Sequence, residues 1–174
     1  MWQQTELTKL YFSIDATSDQ FEYIRYPANW DQAVNNMQRI RGLQIPNLWI
    51  ELGVTVSIAS LFYLQDIINW RDQHFSKLCT DDPVNIYLGF AGPLSHGGNM
   101  LQLTNIDERL KDAALEYANA LTDRVIRKSV LNYIKQIQPV TDMQWVNYLD
   151  QIDSIRNTNW KTSLSKLYEI TKRN

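Results

Sequence analysis

Polar residues recur at the carboxyl ends of the strands that the sequence predicts. Ser13 and Asp15 end the strand-like part of KLYFSIDAT, and Thr55 and Ser57 end the segment LWIELGVTVS. In closed (β/α) barrels, ligand chemistry sits at the carboxyl ends of the strands. Hydroxyl and carboxylate groups at these ends are therefore candidate ligand-binding groups.

A structural explanation of Asp15 stands beside the ligand-binding one. Ser and Asp at a strand end often form a turn or cap a helix, and Asp15 is followed by the polar run ATSDQ. Repetition of small or polar residues at three strand ends, with Ala91 at the third, favours the ligand site and leaves the turn open.

The other residues that could do chemistry form no recognisable site. His74 lies on a predicted helix and His96 in a glycine-rich loop, and two isolated histidines do not make a metal site. Cys79 has no His or second Cys at useful spacing, which favours a buried or idle thiol. The segment GPLSHGGN lacks the spacing and the lysine of a phosphate-binding loop.

Composition excludes several classes of protein. The chain has 174 residues, 44% hydrophobic and 21% charged, with a net charge of -2 and no run of Lys and Arg. That balance argues against a nucleic-acid partner, which needs a clustered basic face. We expect no signal peptide and no membrane-spanning segment. A single cysteine excludes disulfides within the chain and makes a cytoplasmic location the default expectation.

Three segments alternate with period two, which predicts strands with two unlike faces at about 9–14, 48–57 and 84–91. Their apolar faces are Leu10, Phe12 and Ile14; Ile50, Leu52, Val54 and Val56; and Val84, Ile86, Leu88 and Phe90. Helical patterns lie between the strands, so the strands must run parallel with right-handed crossovers.

After about residue 104 the strand signal stops and four further helical patterns follow. We therefore predict an α/β fold: a partial (half) (β/α) barrel of about three parallel strands with helices on one face, followed by a helical C-terminal region. The predicted parts are 1–95 and 96–174, packed as a single structural unit.

Two helix starts carry capping signals. Asn29 is a good N-cap for the helix that follows it, with Gln32 three residues on and Gly42 as a stop. Thr141 and Gln144 have the spacing of a capping box for a later helix.

Four segments together resemble the radical S-adenosylmethionine enzymes, in the group that carries an auxiliary "twitch" region. They are YFSIDATSDQFEYIRYPANWDQAVNNM, LGVTVSIASLFYLQDIINW, FAGPLSHGGNMLQLTNIDERLK and YLDQIDSIRNTNW. The matching residues are Ser13, Ile14, Asp15, Tyr23, Ile24, Arg25, Trp30, Thr55, Val56, Ser57, Pro93, Leu101, Leu103, Lys111, Asp153 and Arg156. Ser60 departs from the pattern, since the family often has Asn there. The segments span nearly the whole chain, and their order and spacing carry the resemblance.

The chain lacks the defining feature of that family, a Cys-x3-Cys-x2-Cys loop whose thiolates hold a [4Fe-4S] cluster. With Cys79 alone it cannot hold such a cluster. The resemblance implies the C-terminal half of a barrel enzyme, starting just before its fourth strand and inactive alone. S-adenosylmethionine and the cluster are then cofactors of a full-length relative. Two alternatives stay open: a stand-alone α/β module that binds a ligand or partner, and half of some other (β/α) barrel.

The resemblance assigns roles to five cofactor-binding candidates. Ser13 and Asp15 would approach cofactor or substrate, and Thr55 and Ser57 would line the cavity from the next strand. Arg25 would pair with a carboxylate or anchor its loop through its donor fork. The alternative for Arg25 is a surface ion pair with Glu22 or Asp31.

A half barrel leaves strand edges unpaired and one sheet face uncovered, which invites pairing with another chain. Tyr11, Trp49 and Tyr87 would lie on that face. We therefore expect a homodimer through the open sheet face or an edge strand. The alternative is that the helical region after residue 104 folds over the face and keeps the chain monomeric.

Overall fold

A computed structural model describes residues 8–43, 45, 48–75, 85–91 and 98–172. The predicted positions of Cys79, Val84, Pro93 and His96 lie outside these ranges. The strands are β1 (Thr8–Ser13), β2 (Leu48–Val56) and β3 (Ile86–Phe90). The helices are α1 (Ser18–Ile24), α2 (Trp30–Gly42), α3 (Leu64–Phe75), α4 (Glu108–Ala120), α5 (Arg124–Lys135), α6 (Gln144–Arg156), α7 (Trp160–Ser163) and α8 (Ser165–Lys172). Short 3-10 turns occupy Leu61–Tyr63, Gly98–Leu101 and Leu103–Asn105.

The three strands form one parallel sheet in the order β1-β2-β3. Its register places Ser13 opposite Gly53, and Gly53 opposite Tyr87. The sheet, its flanking helices and the helical C-terminal region confirm the predicted α/β fold. Because the strands are parallel and in register, their carboxyl ends share one edge, where the candidate residues meet.

The two faces of the sheet differ as the alternation predicts. Leu52, Val54 and Val56 are buried on the helix-covered face. On the opposite face Tyr11, Trp49 and Tyr87 are 48%, 41% and 63% exposed. We call this second side the open face, defined by Lys9, Tyr11, Ser13, Trp49, Glu51, Gly53, Thr55, Tyr87 and Gly89.

The helical C-terminal region packs on the covered side of the sheet. Tyr133 of α5 stacks on Phe90 of β3 with ring centroids 3.9 Å apart. Tyr117 of α4 meets Phe62 edge to face, and its hydroxyl accepts a hydrogen bond from Gln65 N at 2.9 Å. The alternative in which this region covers the open-face aromatics is therefore wrong.

Two local expectations for helix starts had opposite outcomes. Asn29 caps α2 as predicted, because its side chain accepts a hydrogen bond from the backbone N–H of Gln32 at 3.0 Å. The Thr141 capping box is wrong: α6 begins at Gln144 after Met143, with no side-chain cap. Val140 N bonds Ile106 O at 2.9 Å just before this point, and the Gln144 amide donates to Asp142 instead.

Two other helical features were not expected from the sequence. Helix α1 was not predicted, because its seven residues make too few turns to show a period. The single last helix that the pattern indicated is divided at Leu164 into α7 and α8. Among the described residues, no helix is both long and apolar enough to cross a membrane.

Candidate functional site at the carboxyl edge of the sheet

Asp15 continues the β1–β2 ladder with its side chain. Ile14 N donates to Gly53 O at 2.8 Å, which is the last backbone bond of that ladder towards this edge. One step further, Thr55 N donates to Asp15 Oδ1 at 2.7 Å. The carboxylate thus takes the place of a backbone carbonyl and ties the end of β1 to β2. Asp15 therefore has a structural role at the end of β1, and its position at the carboxyl edge also agrees with the ligand-site interpretation.

Arg25 closes the other side of the Asp15 carboxylate. Its Nη2 lies 2.9 Å from Asp15 Oδ2, with 32% of the arginine side chain and 10% of the aspartate side chain exposed. Arg25 is the C-cap of α1, so the end of this helix delivers it to the sheet edge. The alternative pairing is not seen: Glu22 instead accepts from the Asn29 amide and the Trp30 backbone N–H.

The Arg25 guanidinium has a buried donor, Nε, beside the Nη2 that meets Asp15. Nε is buried and has no hydrogen-bond partner among the described residues. A buried N–H without a partner carries a desolvation cost. A planar guanidinium suits a carboxylate or phosphate oxygen.

Burial raises the pKa of Asp15 above its usual value, and this effect outweighs the opposing influence of Arg25 and of the Thr55 N–H. Arg25 offsets the effect of burial on the Asp15 pKa only in part, because one-third of its side chain is exposed and solvent screens its charge. The Asp15–Arg25 pair is formally neutral, so it presents directed donors and no strong anionic field.

The turn after β2 is built around Ser60. Its hydroxyl accepts from Ser57 N at 2.8 Å and donates to Thr55 O at 2.7 Å, and its side chain is fully buried. The Ser57 hydroxyl lies 3.2 Å from it and is also buried. Ser60 therefore fixes the Thr55 backbone that binds Asp15, a role that its sequence position alone did not reveal.

The five candidates fall in three places. Asp15, Arg25 and the Thr55 backbone meet directly, whereas Ser57 lies inside the turn and faces Ser60. Ser13 is exposed and the Thr55 side chain half-buried, both on the open face. The hydroxyls of Ser13 and Thr55 are thus on the open face, near the carboxyl edge, and are accessible to a ligand.

Other features add nothing to this site. His74 is exposed and stacks on Trp70 with ring centroids 5.2 Å apart. No group of three or more His, Cys, Asp or Glu in the described ranges could hold a metal ion. A groove of about 480 Å³ between α4 and α8 is lined by Phe62, Tyr117, Lys166 and their neighbours, and it contains none of the five candidates.

In comparisons with known proteins, no family model, no curated protein and no solved structure matches this chain.

Proposed function

We propose that this chain is the C-terminal half of a (β/α) barrel of the radical S-adenosylmethionine kind. Its sheet-edge residues would form part of the cofactor site in the completed barrel. The parallel order β1-β2-β3, with helices on one face and an open face on the other, supports this proposal. In a closed barrel such an uncovered face lines the interior, and the carboxyl edge carries the ligand.

The observation that carries the proposal is the contact of Asp15 with both Arg25 and Thr55 N. Two of the four segments that supplied the resemblance meet in that contact. Asp15 would hold Arg25, and the exposed part of the Arg25 guanidinium would donate to a carboxylate of the cofactor. The hydroxyls of Ser13 and Thr55 would bond ribose hydroxyls.

The donor set of this chain fits S-adenosylmethionine in part and does not fit the cluster. Its carboxylate and hydroxyl groups match the donors and hydroxyls at the sheet edge. A [4Fe-4S] cluster needs three thiolates in this family, and the chain has one cysteine. We therefore assign binding and orientation to this chain and derive no chemical step from it. The proposed location is the cytoplasm.

The test is a titration of the chain with S-adenosylmethionine, followed by two-dimensional NMR of the backbone amides and by calorimetry. Binding should be weak, in the millimolar range, because much of the pocket is missing. Shifts should centre on Arg25 and Thr55 and disappear in Arg25→Ala. Arg39→Ala, which removes an exposed arginine from α2, is the matched control. Micromolar binding unaffected by Arg25→Ala and Asp15→Ala, or no shifts at saturating cofactor, would show that the site is wrong.

A second candidate function is a stand-alone module that binds a partner through the open face. It is favoured by the exposure of three large aromatic side chains, Tyr11, Trp49 and Tyr87, on one side of a three-stranded sheet. Exposed aromatic groups clustered in this way are typical of protein interfaces. The partner we propose is a second copy of this chain, in a homodimer through the open face or an edge strand.

A further inference from the structure

The C-terminal region contacts the segment that carries Arg25 through one side chain, Arg156. Arg156, at the end of α6, donates from Nη1 to the backbone carbonyl of Tyr23 at 3.3 Å. Its guanidinium carbon also lies 5.0 Å from the centre of the Tyr26 ring. One side chain therefore contacts the residues on both sides of the Ile24–Arg25 pair. The carbonyl it binds belongs to the last turn of α1, where a cation is favoured.

The chain that follows Arg156 is held to α6 by Asp153. Asp153, one turn earlier in α6, accepts from Thr158 Oγ1 at 2.7 Å and from Trp160 N at 2.6 Å. These bonds fold the chain back after Asn157, which adopts a left-handed conformation with φ 54°. Asp153 thus fastens the connection between α6 and α7 to the last turn of α6, which carries Arg156.

A second contact joins α1 to the C-terminal region. Gln20 Nε2 donates to Ser163 O at 3.1 Å, so α7 holds the first half of α1 while Arg156 holds its end. In the other direction, α1 is tied to the sheet by the Asp15–Arg25 pair. Helix α1 therefore lies between the candidate site and the C-terminal helices and is fastened to both.

We propose that Arg156 is a positioning residue for the site: it fixes the backbone of residues 23–26 so that the Arg25 guanidinium meets the Asp15 carboxylate. The inference deepens the proposed function and rests on it in one respect, since Arg25 is the group assigned to the ligand. Loss of Arg156 frees the end of α1, and the Arg25 fork then samples orientations away from Asp15. The five-donor fork of arginine is needed, because the carbonyl lies in one direction and the ring face in another.

A purely structural role for Arg156 would give a different result. Arg156 would then stabilise packing between α1 and α6, and its removal would lower stability without changing the environment of Asp15. The readout must therefore report on the Asp15 carboxyl itself. Arg25 is the charged side chain acting on that carboxyl, and the Thr55 N–H is its other donor.

The experiment is a pH titration of the Asp15 side-chain carbon signal by NMR, without added ligand. Arg25→Ala should move the titration midpoint of Asp15 upwards, because it removes the nearby positive charge. Arg156→Ala should move the midpoint in the same direction by a smaller amount. Lys172→Ala, which removes a cation lying over an aromatic ring elsewhere in the C-terminal region, should leave it unchanged.

Arg156→Lys separates positioning from simple charge. If Arg156 acts only through its charge, the lysine variant restores the wild-type midpoint; if the fork positions α1, the midpoint stays displaced. A folded Arg156→Ala protein with a wild-type Asp15 titration overturns the inference, as does full restoration by lysine. If Arg156→Ala does not fold, Arg156→Lys carries the test. This titration needs no cofactor. If Arg156→Ala displaces the Asp15 midpoint but S-adenosylmethionine does not bind, the proposed function is wrong and the inference about Arg156 holds.

Discussion

Replacing Ser60 by alanine should destabilise the fold more than its size suggests. The Ser60 hydroxyl satisfies a buried backbone N–H, that of Ser57, and the partly buried carbonyl of Thr55. Alanine removes the partner of both groups, and the Ser57 N–H is then left unpaired in a buried site. Each buried group left unsatisfied costs about 1–3 kcal/mol, and the partly buried Thr55 carbonyl lies at the low end of that range, so the expected loss in the free energy of unfolding is about 2–4 kcal/mol.

Ser57→Ala is the matched control for this prediction. Both serines are buried in the same turn, but in the part of the chain that the structure describes the Ser57 hydroxyl bonds only the Ser60 hydroxyl, at 3.2 Å. Its removal leaves every backbone group of the turn paired, and the expected cost is about 0.5–1.5 kcal/mol.

Urea unfolding followed by tryptophan fluorescence measures both variants, with unchanged slopes showing that the unfolding transition is comparable. An Ser60→Ala protein as stable as Ser57→Ala would refute the reasoning, because the two backbone bonds would then contribute nothing. The Thr55 amide signal gives a second check. This signal should broaden or move in Ser60→Ala, because the Ser60 hydroxyl binds the carbonyl of Thr55 and the N–H of the same residue binds Asp15.

Two further predictions concern the site and the assembly. Burial raises the folded-state pKa of Asp15, so its favourable contribution is present at low pH and is lost as pH rises through that pKa. Asp15→Asn should therefore gain stability relative to the wild type between about pH 3 and pH 7, and a constant difference in urea unfolding would contradict this. Trp49→Glu should dissociate the proposed dimer in light scattering, whereas Val125→Glu, at an exposed position on α5, should not. A wild-type chain that scatters as a 20.4 kDa monomer at high concentration would refute the dimer.

The sequence predicted the sheet well because its strands have two chemically different faces. Alternation in LYFSIDA and LWIELGVTVS reports burial on one side directly, and intervening helices force the strands to be parallel. Helix α1 and the division of the last helix at Leu164 were not predicted, because α1 and α7 are too short to produce a periodic pattern. The Thr141 capping box failed because α6 begins at Gln144 and not at Asp142, as the motif requires, and the Gln144 amide bonds Asp142.

The site was predictable only as a location. Strand ends and the resemblance indicated Asp15 and Arg25, but nothing local shows that they bind each other across ten residues. Ser60 was noticed as a departure from a family pattern, and its function depends on a turn that the sequence does not describe. The contact of Arg156 with Tyr23 O spans 133 positions, beyond the reach of any periodicity argument.

The two proposals for this chain share one physical requirement. Both Asp15 oxygens are already bonded, so what remains for a ligand is the exposed part of the Arg25 guanidinium and the hydroxyls of Ser13 and Thr55. These groups lie at the border of the open face, where a ligand would be covered on one side only. Polar contacts open to water contribute little, and strong binding needs a site closed to solvent. Whatever covers Tyr11, Trp49 and Tyr87 would close the site as well, whether it is the other half of a barrel or a second copy of the chain. Covering the face and binding the ligand should therefore strengthen each other, and a ligand that binds at Arg25 should shift the chain towards its assembled form.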